Sequence, residues 1–339
     1  MMTTKTLSVP RAPVVWLVIG VLAVPCLANR GFSEEEEAGA NDNDNGGLLG
    51  RGLLPSPFRG DGLGLRTMFK RPLLRGANVP GDRVKWIRYP SQNEEANARW
   101  GDFLTDVARH LPTQYGRKYY SDDRITHAHE TTHGINSHLS NHPDEITSGT
   151  RPRGSVYGFY VGKDQAVILS GPRLKLSQVA EVIPASLRGS RYQLYCIEQQ
   201  KYFENHPLYL FDEWVAYTNG ASAGVELTEK KQLDMPRNDA LVAPLEFSIY
   251  SLGLAAAIQK HDPDYLRQNP QFREFLAHEL RRATAIYRRG MKLDQFHWEQ
   301  KLGENLLVQD DSRELREIVP QLFGEDLKLE ELIGGKTIE

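Results

Sequence analysis

The chain has 339 residues, 40% of them apolar, and 41 basic against 44 acidic side chains for a formal charge of −3. That apolar share supports a globular core and excludes a chain disordered throughout. The slightly acidic balance removes any electrostatic case for a nucleic-acid partner.

Lys5 and Arg11 precede an apolar run over 14–27 that ends at Ala28 and gives way to a polar, acidic stretch. This order predicts a secretory signal peptide over 1–28, with cleavage after Ala28. The run contains Pro25 and is shorter than the roughly 20 residues that span a bilayer. Export is therefore expected (periplasmic, cell-surface or secreted), with membrane contact only through the signal segment. Removing 1–28 takes away two basic and no acidic groups, leaving 39 against 44 and a charge of −5. One cysteine then remains, Cys196, so no internal disulfide can form; its neighbours Leu194, Tyr195 and Ile197 mark it as a packed residue. Residues 29–81 read as a disordered linker or tether, with a glutamate run over 34–37, an Asn/Asp/Gly run over 41–47 and no sustained period.

The folded domain is expected over 82–339. Ala96, Trp100, Phe103, Leu104, Val107, Ala108 and Leu111 have helical spacing and predict a helix over 94–111. A second helix is expected over 122–139, capped by Asp122 or Asp123. The stretch 155–170 reads as a β-hairpin turning through Gly162, Lys163 and Asp164. Helices follow over 191–203, 207–219, 241–260 and 271–288, with two short ones near the end; Pro207 suits a first turn capped by Asn205 or His206. The fold class is α+β, predominantly helical, with a small antiparallel hairpin.

The second helix carries His129-Glu130-Thr131-Thr132-His133, an H-E-x-x-H pattern. At about 100° per residue, Ile125, Ala128, Thr132, Ile135 and Leu139 form one stripe, the expected buried face. His129 and His133 fall about 60° and 100° from Thr132, one turn apart, so both imidazoles can reach one metal. Glu130, at about 160° on the same side, is placed to act on a metal-bound water as general base. His127 and His138 project to the opposite side and read as solvated or locally hydrogen-bonded. His138 is also one position short, and Gly134 two positions short, of the metzincin spacing.

A catalytic zinc takes three protein ligands. Glu213 is the best-placed third, on a helix where Tyr209, Glu213 and Tyr217 form a stripe beside the apolar face of Leu208, Phe211, Val215 and Thr218. Glu198, Glu204 and His138 are the alternatives. Asp212 reads as an acid near a helix start, favoured by the dipole.

With Glu213-Trp214-Val215-Ala216 following about eighty residues after the histidine pair, the chain resembles the gluzincin metallopeptidases. Its Glu-aromatic-x-Ala segment is similar to the third-ligand helix of the lethal-factor-like proteases. The resemblance implies a zincin-like fold, zinc on His129, His133 and Glu213, Glu130 as the catalytic carboxylate, and a peptide or protein substrate. The chain departs from the pattern at Tyr217, where the group often has a second acid, and at His206, where lethal factor has its transition-state tyrosine. His206, Tyr209 and Tyr217 are therefore the candidates for oxyanion stabilisation. The hairpin offers an edge strand along which an extended peptide could pair. The other reading is a non-enzymatic exported domain, a decayed peptidase that binds a partner.

Overall fold

The computed structural model describes residues 80–113, 123–143, 155–233, 240–296 and 301–333. The signal segment, Asp122 and all but the last two residues of the expected tether lie outside the described residues. Pro80 and Gly81 are buried, and the Gly81 amide donates to Glu274 at 2.8 Å.

The described chain is mainly helical with one small antiparallel sheet. In order, it runs β1 (Ile87–Arg88), α1 (Gly101–His110), α2 (Arg124–Asn141), β2 (Val156–Gly162), β3 (Gln165–Ser170), α3 (Leu176–Val182), a π-helical stretch (Gln193–Glu198), α4 (Gln200–Phe203) and α5 (Tyr209–Glu229). It continues through α6 (Val242–His261), α7 (Pro263–Gln268), α8 (Pro270–Gly290), α9 (Leu302–Val308), α10 (Arg313–Phe323) and α11 (Leu329–Ile333).

Several boundaries differ from the periodicity, each for a local reason. α1 starts at Gly101 rather than 94, because Gly101 has φ +68° and the Glu226 carboxylate accepts from the next two amides, Asp102 and Phe103, at 2.7 and 2.9 Å. α2 begins where Asp123 accepts from the amides of Ile125 and Thr126. α5 starts two residues after Pro207 and continues to Glu229, well past 219. The expected helix over 191–203 is a π-helix for half its length. β1 and α3 carried no sequence signal strong enough to read; the first turn of α3 is held by Glu204, which accepts from the Ser177 amide and hydroxyl.

The sheet has the order β1-β3-β2, and Lys163 and Asp164, at φ 55° and 60°, form the tight left-handed turn that a two-residue hairpin needs. β2 lies at the sheet's edge, but that edge is occupied. Ser140 and Asn136 of α2 accept from the Gly158 and Tyr160 amides at 2.9 and 2.8 Å, and Asn219 of α5 donates to the Tyr160 carbonyl at 3.0 Å. The expectation of an open edge for peptide pairing is corrected for β2 at Gly158 and Tyr160, whose outward groups α2 and α5 already satisfy.

α5 is the central helix, packed against α2, α6 and α8. Phe211 stacks on Phe272 at 5.2 Å, Phe159 on Phe275 at 5.4 Å, and the Trp214 indole donates to the Pro244 carbonyl at 3.1 Å. All five rings are essentially fully buried, each worth roughly 2–3 kcal/mol in area removed from water. α6 is long and apolar enough to cross a membrane by composition, yet 94% of its apolar window is buried inside the protein, where it serves as a core helix.

Candidate metal centre

The stripe expected on α2 is the buried one: Ile125, Ala128, Thr132, Ile135 and Leu139 are all at most 6% exposed. Its N-terminal half, Ile125 and Ala128, faces α5 across a very short gap, while Ile135 and Leu139 pack against Tyr89, α1 and the sheet. A Cβ on Gly220 would meet the Ile125 carbonyl oxygen at 3.0 Å and the His129 Cβ at 3.5 Å, so only glycine lets the two helices approach this closely. Asn219, one residue before it, donates to both Thr132 Oγ1 and the Tyr160 carbonyl at 3.0 Å and accepts from Arg282, fixing α2, α5, α8 and β2 together.

This contact brings together three residues distant in sequence. His129 Nε2 and His133 Nε2 are 3.1 Å apart, and Glu213 Oε2 lies 3.8 Å from the first and 3.5 Å from the second. Two imidazole lone pairs cannot sit that close without a proton or a cation between them. The same three edges define a circle of radius about 2.0 Å, and tetrahedral ligands about 2.1 Å from zinc span a triangle of that radius. Glu213 is 7% exposed, and its Oε2 forms no close hydrogen bond among the described residues, its nearest polar neighbours being the two imidazoles at 3.5 and 3.8 Å. A buried carboxylate oxygen in that condition is costly unless a cation satisfies it. The donor set thus fits a divalent ion of the zinc type, and His129, His133 and Glu213 are the residues that could hold it.

Around the trio stand groups that set its electrostatics. Burial raises the Glu213 carboxyl above the usual range, with His133 opposing. Burial would depress the His133 imidazole, but the carboxylates of Asp212 and Glu213 outweigh it and hold the ring well above the ordinary histidine value. Glu130 is half-buried beside them; burial pushes its carboxyl up, against the pull of His133. A carboxyl so raised is better matched to proton transfer near neutral pH.

Asp212 was read from sequence as a helix-start acid, but its side chain is used differently. It accepts from His133 Nδ1 at 2.8 Å and from Asn136 Nδ2 at 2.7 Å. The adjacent acids Asp212 and Glu213 therefore address opposite nitrogens of one imidazole. The Asp-Glu dipeptide one turn into the helix was the only sequence sign of this pairing.

Two of the three oxyanion candidates are near the trio. The Tyr217 ring lies 4.3 Å from the His129 ring, and its hydroxyl shares a 2.7 Å hydrogen bond with Tyr195. Tyr209 is buried under Phe203 at 4.0 Å, and burial, with Glu213 adding to it, holds its phenol well above the ordinary value. His206 bonds the Tyr157 hydroxyl at 2.9 Å and is not part of the metal-ligand group. Tyr195 was missed; it reads as an apolar-face residue, and only the π-helical turn swings it to Tyr217.

The flanking histidines of α2 and the alternative third ligands are placed elsewhere. His127 and His138 are not solvated: at 3% and 6% exposure, His127 packs edge-on against Trp100 and His138 bonds the Tyr89 hydroxyl at 2.9 Å. Glu204 caps α3, and Glu198 faces Gln193 at 3.5 Å. Cys196 is buried, as expected, and burial pushes its thiol up to about 12. A second group, Asp106, His110 and Asp164, also gathers possible ligand atoms. There the two ring nitrogens face opposite ways, Nδ1 to the Asp106 carbonyl at 2.6 Å and Nε2 to Asp164 at 2.9 Å. That is the geometry of a hydrogen-bonded tie between α1 and the hairpin turn, not of a chelate.

Comparison with protein-family models, curated proteins and solved structures finds no match for this chain.

Proposed function

We propose that the chain is an exported zinc-dependent peptidase of zincin-like architecture, with His129, His133 and Glu213 holding the metal and Glu130 as general base. One observation carries the reading. Two imidazole nitrogens from one helix and a buried, otherwise unsatisfied carboxylate oxygen from another converge at 3.1–3.8 Å, with a second carboxylate beside them whose basicity is raised by burial.

Zinc bound there supplies a Lewis acid that polarises a peptide carbonyl and acidifies water. Glu130 takes a proton from the attacking water and delivers it to the amine nitrogen as the C–N bond breaks, leaving a carboxylate and a free amine. A phenol donor, on Tyr217 beside His129 or on Tyr209, stabilises the negative charge that develops on the former carbonyl oxygen, an effect worth about 3–4 kcal/mol per donor. Asp212 keeps the His133 ring oriented. Because α2 and α5 occupy the outer edge of β2 at Gly158 and Tyr160, an extended substrate is held by the walls of the site rather than by added strand pairing at those residues.

The test is elemental analysis together with hydrolysis of an unstructured protein such as casein. About one zinc per chain is expected, lost in Glu213→Ala; Glu130→Gln should keep the zinc and lose hydrolysis. Purified chain without stoichiometric metal overturns the reading. Metal without Glu130-dependent hydrolysis leaves a metal-binding domain that is not a peptidase.

A further inference from the structure

Behind Tyr217 stands a buried ion pair that the metal trio does not use. Glu246 of α6 is fully buried, and it accepts from the Ser190 amide and hydroxyl, at 3.1 and 3.2 Å, and from the Arg191 amide at 3.2 Å. Arg191 Nη1 returns to the same carboxylate at 3.5 Å. The loop fits over this carboxylate because residue 189 is glycine: a Cβ there would meet Glu246 Oε1 at 2.4 Å. Fixed in this way, with its side chain only 11% exposed, the Arg191 guanidinium carbon lies 5.2 Å from the Tyr217 ring centroid.

A guanidinium can only donate, and a phenol oxygen has two lone pairs and one proton. Either hydroxyl can donate in the 2.7 Å Tyr195–Tyr217 bond, so when the Tyr217 proton is drawn to an acceptor at the metal-ligand group, Tyr195 can donate in return to the Tyr217 oxygen, with the Arg191 cation fixed over the ring. The Tyr217 ring packs edge-on against the His129 ring at 4.3 Å and is itself partly exposed, whereas Tyr209 is closed in at 4% exposure.

Resting on the peptidase reading above, we propose that Arg191, clamped by Glu246, and Tyr195 are positioning residues that fix Tyr217 as the hydrogen-bond donor to an oxyanion held at the His129–His133–Glu213 site. The ligand class is a tetrahedral or metal-chelating oxyanion with an acceptor oxygen facing His129. Tyr217 is the catalytic residue; Arg191 and Tyr195 act through it. A guanidinium behind the phenol strengthens it as a donor, since positive charge favours release of electron density from the O–H bond.

The probe is acetohydroxamate, titrated into the cobalt(II)-loaded full chain and followed by the visible spectrum of the metal. Tyr217→Phe and Arg191→Met should each weaken its binding about ten- to a hundredfold, with cobalt content unchanged. The double variant should be no worse than Tyr217→Phe alone, because Arg191 works only through that hydroxyl. Arg191→Lys should recover part of the loss. Should Arg191→Met not fold, Tyr195→Phe carries the same non-additivity test. Wild-type affinity in Arg191→Met, losses that add in the double variant, or a loss confined to Tyr209→Phe overturns the proposal while leaving the peptidase reading standing. Failure of the wild-type chain to take up stoichiometric cobalt instead overturns the underlying metal site.

Discussion

Asp212 accepts a hydrogen bond from His133 Nδ1 at 2.8 Å while its other oxygen accepts from Asn136 at 2.7 Å, and Asn136 in turn accepts from the Tyr160 amide of β2 at 2.8 Å. The sheet backbone thus sets the position of an amide, the amide sets a carboxylate, and the carboxylate sets which face and which tautomer His133 presents to the proposed metal position. Such outer contacts typically contribute a factor of about 10–100 in metal affinity. Asp212→Asn is expected to weaken zinc by that factor in a chelator competition, with secondary structure and Glu213 burial retained. Unchanged zinc affinity in Asp212→Asn would show that the His133 ring is held by packing alone.

Much of this centre was legible in the sequence because helical spacing is rigid. His129 and His133 are one turn apart whatever surrounds them, the buried stripe of α2 follows from the same angle, and Tyr209, Glu213 and Tyr217 share a face for the same reason. What escaped was set by tertiary contacts that leave no period. The role of Asp212 depends on Asn136 from another helix, Tyr195 depends on a π-helical turn, and the burial of His127 and His138 depends on Trp100 and Tyr89. The start of α1 escaped because the cap at its first turn is Glu226, 124 residues from Asp102.

The close approach of α2 and α5 predicts the outcome at Gly220. Replacing a helical glycine ordinarily stabilises by up to about 1 kcal/mol through propensity. Here the added atom meets a backbone oxygen at 3.0 Å, which cannot swing aside. Gly220→Val is expected to cost about 1–3 kcal/mol and to weaken metal binding in parallel, because α2 and its histidines must back away from Glu213. A denaturant melt and a chelator competition on one preparation check both; a destabilised variant with wild-type metal affinity would separate the helix contact from the site.

Asn219 is fully buried and serves Thr132, Tyr160 and Arg282 at once. Asn219→Leu preserves approximate volume but leaves the Tyr160 carbonyl and the Arg282 guanidinium without that partner. Buried polar groups stranded in this way cost about 1–3 kcal/mol each. A loss of roughly 2–4 kcal/mol is therefore expected by chemical denaturation. A loss under 1 kcal/mol would mean that water or a side-chain shift replaces the amide.

The tie between α1 and the hairpin turn predicts a pH dependence away from the metal. The hydrogen bond from His110 holds the Asp164 carboxyl below the usual carboxylate range; slight burial opposes it, and the His110 charge and Arg88 add to it. A carboxyl whose folded pKa is depressed contributes stability that is full above its unfolded pKa and lost as pH falls through the folded one. Asp164→Asn should therefore lower Tm at neutral pH, and the gap should close in acid across that window. Asparagine tolerates the left-handed φ of 60° at this position, so the turn itself is kept. The Asp164 side chain is 39% exposed, so solvent screening keeps the effect small, no more than about 2–4 °C. Thermal melts of the two proteins across the acidic range check this, and a gap that stays constant with pH would assign the loss to turn geometry instead of the ionised pair.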